Sequence, residues 1–279
     1  MPGLLQLLFG FALALLGFGA QAQTYHRIAT LTPHLTELVY AAGAGDKLVG
    51  VSAYSDYPPE AARLPIVGSN GRANIEALYR LAPDLILAWR SGNWAPDVAE
   101  LERRGFKVLT TEPASLRDVG RLIRLFGRLA GTSAVAEGAA TAYERRIESL
   151  RTAYADKRPV SVFVEIWHEP LMTVNGTHLI SEVLQLCGAQ NAFADAPTLT
   201  PVVSREQLYA RRPAAVLTTA FSDDQTMRAG WSVFGALGAV KEGALYRMDA
   251  DLLTRLGPRL ADGAAQVCET VDRVRHSLP

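Results

Sequence analysis

Five aromatic side chains, Tyr54, Tyr57, Trp89, Trp94 and Trp167, each fall at or just beyond the end of a short apolar run. Gathered at strand ends, such rings would grip a flat or partly apolar molecule by stacking, as small-molecule clefts do; taken singly, any one would serve as an ordinary core aromatic. His34 and His168 follow the first apolar run of each half of the chain, where parallel sheets present their ligands. Each reads better as a polar rim residue than as a metal ligand. The five histidines do not cluster, and the sequence has no Gly-x-Ser-x-Gly elbow, phosphate-cradling glycine loop, His-Glu-x-x-His or paired-cysteine zinc spacing. The chemistry implied is recognition without bond making: no catalytic residue, no metal site and no resident cofactor.

The elements that must position these residues show an internal echo. Thr36-Glu37-Leu38-Val39 followed by Gly43-Ala44 is matched by Ser181-Glu182-Val183-Leu184 followed by Gly188-Ala189. Farther on, Glu76-x-Leu78-Tyr79 with Pro83 is matched by Glu206-x-Leu208-Tyr209 with Pro213. Matching order and spacing predict two similar lobes. Residues 35–43 and 179–188 read as amphipathic helices stopped by glycine. Residues 74–81 and 204–211 read as short helices with Asn74 and Ser204 as N-caps. Apolar runs at 27–31, 48–52, 85–89, 107–111, 159–166, 214–219 and 245–249 read as strands covered on both faces. Between the halves, Ser133 to Tyr154 carries one apolar stripe, a rod of about 30 to 35 Å that can join two lobes and allow only a small hinge motion. A final helix is expected from about Pro258. The fold class is α/β: two similar lobes with mainly parallel sheets, spanning 23–131 and 158–279, joined by a backbone helix over 132–157.

Residues 1–22 set the compartment. Gly3 to Ala20 is almost wholly apolar and closes on Ala20-Gln21-Ala22, a small-x-small cleavage site, so export as a cleaved leader is expected, although no Lys or Arg precedes the apolar run. No cysteine near that point suggests a lipid anchor. Lys plus Arg and Asp plus Glu number 28 each and are scattered, which argues against nucleic acid as a partner. The two cysteines, Cys187 and Cys268, would pair in an oxidising compartment, the alternative being two buried thiols.

Several separate stretches resemble the periplasmic cobalamin-binding proteins of corrinoid ABC importers: Val51-Ser52-Ala53-Tyr54-Ser55-Asp56-Tyr57-Pro58-Pro59, Pro83 through Asn93, Val203-Ser204-Arg205-Glu206-Gln207, and the segments around Cys187 and Cys268. The resemblance implies a helix-hinged class III binding protein, monomeric, in the periplasm, with a corrinoid such as cobalamin as its transported ligand. A haem or ferric-siderophore carrier is the alternative, with His34, Tyr54 or His168 as axial candidates. The implied wall of the cleft comprises Tyr54 and Trp89, with Asp251, Leu252, Leu253, Thr254 and Arg255 opposite; His34 and Trp167 join them on position alone. Glu76 and Glu206 match two acidic knobs that meet arginines of the membrane permease. As plain structure they would be first-turn glutamates favoured by the helix dipole. This chain departs from the pattern at Asn70 and Thr200, where tryptophans stand in the family, and at Leu252-Leu253, where a Trp-Phe pair stands; Trp167 and His168 are additions.

Overall fold

Runs rich in Val, Ile and Leu that are covered on both faces form interior strands, and the computed structural model, which describes residues 23–278, arranges them in two sheets. The expected leader, 1–22, lies outside the described residues. The first half contributes strands β1 (Ile28–Thr30), β2 (Leu48–Ser52), β3 (Ile66–Ser69), β4 (Arg72–Ala73), β5 (Leu85–Trp89) and β6 (Val108–Thr111). The second contributes β7 (Val160–Glu165), β8 (Ala189–Asn191), β9 (Ala215–Thr218) and β10 (Leu245–Arg247). The helices are α1 (Pro33–Ala41), α2 (Ile75–Leu81), α3 (Ala95–Arg103), α4 (Leu116–Ala130), α5 (Ser133–Tyr154), α6 (Leu179–Leu186), α7 (Arg205–Arg211), α8 (Asp224–Trp231), α9 (Gly238–Lys241), α10 (Ala250–Leu253) and α11 (Leu260–Ser277).

The sheet orders are β4-β3-β2-β1-β5-β6 and β10-β9-β7-β8. Reversed, the second reads β8-β7-β9-β10, the same winding as β2-β1-β5-β6, so the sequence echo is a topological repeat. All pairings are parallel except the β3–β4 hairpin. In each half the order switches direction at the first strand, β1 or β7, and a parallel sheet leaves its crevice beyond the carboxyl ends at that point.

Local chemistry explains the matched elements. Gly43 and Gly188 end α1 and α6 with φ of 75° and 66°, conformations that glycine adopts without strain. Asn74 and Ser204 cap α2 and α7 through Ala77 N–H and Gln207 N–H. Helix α1 begins at Pro33, two residues earlier than its apolar spacing suggests, because proline is pre-organised for the first turn. Helix α4 has no counterpart among the elements expected from the sequence, although Ser115 and Asp118 form a capping box and Gly131 ends it in the left-handed conformation.

Helix α5 is the connector. It lies along α4 and also meets α1 of the first half and α6 and α11 of the second. The largest buried apolar cluster is continuous through it, from Leu35 and Phe126 to Phe163 and Val267, while a smaller one, with Leu78, Ile86 and Leu101, lies among β1, β3, β5, α2 and α3. Cys187, at the end of α6, and Cys268 in α11 form a disulfide with Cα atoms 4.6 Å apart. Closing a loop across 81 residues contributes about 4 to 5 kcal/mol in the chain-entropy account.

Candidate functional site

Beyond the carboxyl ends of β1, β2 and β5, a hollow of about 240 Å³ is lined by Thr32 and His34, by Ser52 and Tyr54, by Trp89 and Gly92, and, from the other half, by Thr254 and Arg255. Tyr54 and Trp89, named by the sequence for one cleft, share this opening. Tyr54 stands on its lip with 69% of its surface exposed and a backbone φ of 65°, a conformation costly for a bulky side chain. Buried hydroxyls fix the turn beneath it: Thr30 Oγ1 lies 2.7 Å from Thr36 Oγ1, which lies 3.0 Å from Ser55 Oγ, which lies 3.1 Å from Ser52 Oγ. That chain ties the Tyr54 turn to β1 and α1.

Trp89 is anchored at three points. Its backbone N–H donates to Asn93 Oδ1 at 2.7 Å, its indole N–H donates to Glu112 at 3.3 Å, and its ring packs against Gly92. A Cβ at position 92 would fall 1.8 Å from Trp89 Cε3, so only glycine leaves room for the indole. Asn93 in turn donates to Leu31 O at 3.1 Å, locking the loop to the end of β1.

His34 meets Trp89 edge to face, ring centroids 5.1 Å apart. Its Nδ1 lies 3.2 Å from Thr32 Oγ1, and its Nε2 has no hydrogen-bond partner among the described residues. With 4% of its surface exposed, burial drives its pKa down to about 3, so the imidazole stays neutral. His34 therefore brings a neutral ring, not a charge, to the wall of the hollow.

Arg255 supplies the charge. Its guanidinium lies 2.6 Å from Asp56 and 2.8 Å from Asp251, and reaches Glu37 at 3.4 Å. The hydrogen bond from Arg255 holds the Asp56 carboxyl below the usual range. Asp56 and Glu37, quoted in the sequence motifs but not expected in the site, thus join it as partners of Arg255. Beside it, Arg259 stacks over the Tyr57 ring at 4.1 Å.

Other expected residues lie elsewhere. Leu253 is 1% exposed and belongs to the core of the second half, so its side chain cannot face a ligand. Trp167 lies at the end of β7 with 59% exposure, its indole N–H donating to Glu169 O at 2.8 Å; it is outside the hollow, on the surface of the second half. Neighbouring His168 is held 2.6 Å from the fully buried Glu165, which also accepts from Trp231 Nε1 at 2.9 Å. Glu76 and Glu206 are exposed in the first turns of α2 and α7, the same place in each repeat. Among the described residues no group of three His, Cys, Asp or Glu side chains is set to hold a metal ion.

Comparison with known proteins gives a consistent picture. Residues 28–252 match the pattern of the periplasmic binding protein family. A vitamin B12-binding protein of Vibrio cholerae is 38% identical over 244 residues, covering 87% of this chain and 87% of that protein. The crystal structure of a periplasmic vitamin B12 binding protein of Vibrio cholerae superposes with a TM-score of 0.82 at 36% identity, covering 90% of this chain and 98% of that one. A periplasmic heme-binding protein of Roseiflexus shares the fold, with a TM-score of 0.79 at 22% identity over 90% of this chain and 99% of its own.

Proposed function

Because this chain belongs to the periplasmic binding protein family, we propose that it captures a corrinoid, cobalamin or a close relative, between its two halves and delivers it to an ABC importer of the inner membrane. The reading places the protein in the periplasm as a monomer, with lobes at 23–131 and 158–279 hinged about 132–157. The observation that carries it is the meeting of Tyr54 and Trp89 with Thr254 and Arg255 of the opposite half around one opening.

The hollow of about 240 Å³ is smaller than a typical small-molecule cleft, roughly 300 to 1,000 Å³, and far smaller than a corrin with its side chains. A corrinoid would seat one edge there and lie mostly in the open space between the halves, stacked on the exposed face of Tyr54, with Trp167 offering a second ring from the other side. Arg255, with Asp56 and Asp251 beside it, suits a ligand rimmed by amides, which both donate and accept hydrogen bonds. The haem alternative draws less support, since His34, one of its axial candidates, is 4% exposed. Glu76 and Glu206, projecting from equivalent helices of the two halves, suit docking onto a basic permease surface.

Calorimetric titration of the protein with cyanocobalamin, and in parallel with haemin, tests this. Saturable binding of cyanocobalamin at micromolar concentration or below is expected. Heat and a Soret shift with haemin alone would refute it.

A further inference from the structure

The echo in the sequence pairs Glu37, which is buried, with Glu182, which is half-buried, each on a helix whose neighbouring residues belong to the core. In α1, Leu35, Leu38 and Val39 are fully buried; in α6, Val183 and Leu184 are. Yet each carboxylate reaches out of its own half. The Glu37 side chain, 2% exposed, takes two hydrogen bonds from Arg259, Oε2 at 3.0 Å from Nε and Oε1 at 2.7 Å from Nη2, and lies 3.4 Å from Arg255; both arginines belong to the second half. Glu182, in the second half, accepts at 2.7 Å from the backbone N–H of Leu116, the first residue of α4 in the first half. A carboxylate removed from water, as Glu37 is, is stable only when its lone pairs are matched by donors, whereas Glu182 is half-buried and keeps part of its hydration. Here the donors lie across the boundary in both cases, in opposite directions, from equivalent positions of the repeat.

We infer that Glu37 and Glu182 are paired fasteners that set the resting separation of the two halves, and that Glu37 is also a positioning residue for ligand recognition, acting through Arg255. Arg255 lines the hollow, and three carboxylates from two halves hold its guanidinium: Glu37 and Asp56 from the first, Asp251 from its own. Glu37 is the most deeply buried of the three, with 2% side-chain exposure against 57% for Asp56 and 48% for Asp251, so it fixes the direction from which the guanidinium enters the wall. At the other edge of the boundary, Glu182 ties α6 to the start of α4. The claim about the resting separation stands without any ligand; the claim about Arg255 rests on the corrinoid reading.

The test is electron–electron distance measurement between nitroxides at Glu102→Cys on α3 and Arg228→Cys on α8, one on each half, in ligand-free protein. The parent pair is expected to give one narrow distance distribution. Glu37→Gln and Glu182→Gln should each broaden it and the double replacement should broaden it further, while Glu148→Gln, which alters only an exposed ion pair with Arg151, leaves it unchanged. A folded double variant with the parent's distribution overturns the fastener assignment. If Glu37→Gln does not fold, Arg259→Gln removes the two hydrogen bonds between Arg259 and Glu37 from the other side, and a broadened distribution is expected there too. In the ligand arm, Glu37→Gln should weaken cyanocobalamin binding by tenfold or more, and should cost nothing further when added to Arg255→Ala. Losses that multiply would show that Glu37 does not act through Arg255. If the parent binds no cyanocobalamin, the corrinoid reading and the positioning role both fall, and the distance measurement still decides the fasteners.

Discussion

Gly92→Ala probes the site with a single methyl group at a residue that has no side chain of its own to offer a ligand. The added Cβ would lie 1.8 Å from Trp89 Cε3, 2.3 Å from Cζ3 and 2.7 Å from Cδ2. Carbon atoms in contact sit about 3.5 Å apart or more, so the indole must retreat by about 1.5 to 2 Å. A shift of that size breaks the bond from the indole N–H to Glu112, already 3.3 Å long, and separates the ring from His34. Two costs follow. Forcing a methyl against a packed ring lowers stability by about 1 to 3 kcal/mol. Losing a well-placed aromatic face weakens ligand binding by about 0.5 to 1.5 kcal/mol beyond any area lost, roughly two- to tenfold in Kd. Calorimetric titration with cyanocobalamin measures the second cost and thermal unfolding the first. Trp89→Ala serves as the reference, and the double variant Gly92→Ala with Trp89→Ala should bind no more weakly than Trp89→Ala alone, since the methyl then has nothing to displace. A folded Gly92→Ala protein with the parent's affinity would refute the placement of Trp89 in the ligand wall.

Two further outcomes are expected. His34 is neutral in the folded protein, its pKa lowered from 6.5 to about 3, whereas the unfolded chain binds its proton below about 6.5. Stability is therefore lost as pH falls from about 6.5 toward 3, by about 2 kcal/mol at pH 5, and denaturant unfolding should show His34→Gln to be less acid-sensitive over that window; an unchanged pH slope would contradict it. Replacing both Glu76 and Glu206 with Lys should leave cyanocobalamin affinity within about twofold and abolish co-sedimentation with importer-containing vesicles, and weakened ligand binding would contradict a purely outer role for these residues.

How much of this was legible in the sequence depends on whether a residue's role is local. Asn74, Ser204, Gly43 and Gly188 act on their own helix ends, so residue type and spacing were enough to find them. Tyr54 and Trp89 could be placed together because one follows β2 and the other ends β5, and parallel strands bring their carboxyl ends to one edge. The resemblance carried over the whole stretch Asp251 to Arg255, but the short helix α10 turns the Leu253 side chain into the core while Thr254 and Arg255 face the hollow. Trp167 follows β7 as the rule requires but stands clear of the hollow, because its own segment holds it: it bridges to Met172, and its indole N–H donates to Glu169 O. Glu37 was visible only as half of a repeat. That its carboxylate is buried against Arg255 and Arg259, more than two hundred residues away, is a tertiary fact that no local pattern encodes. The same holds for Asp56, and for the hydroxyl chain from Thr30 to Ser52 that props the Tyr54 turn.

The placement of the ligand itself is most directly tested by a crystal structure of the protein crystallised with cyanocobalamin. The account predicts the corrin between the halves, with the Tyr54 ring against its face, Trp89 at its edge and Arg255 within hydrogen-bond distance of its amide side chains. A corrin bound elsewhere, with Tyr54 and Trp89 left open to solvent, would contradict it.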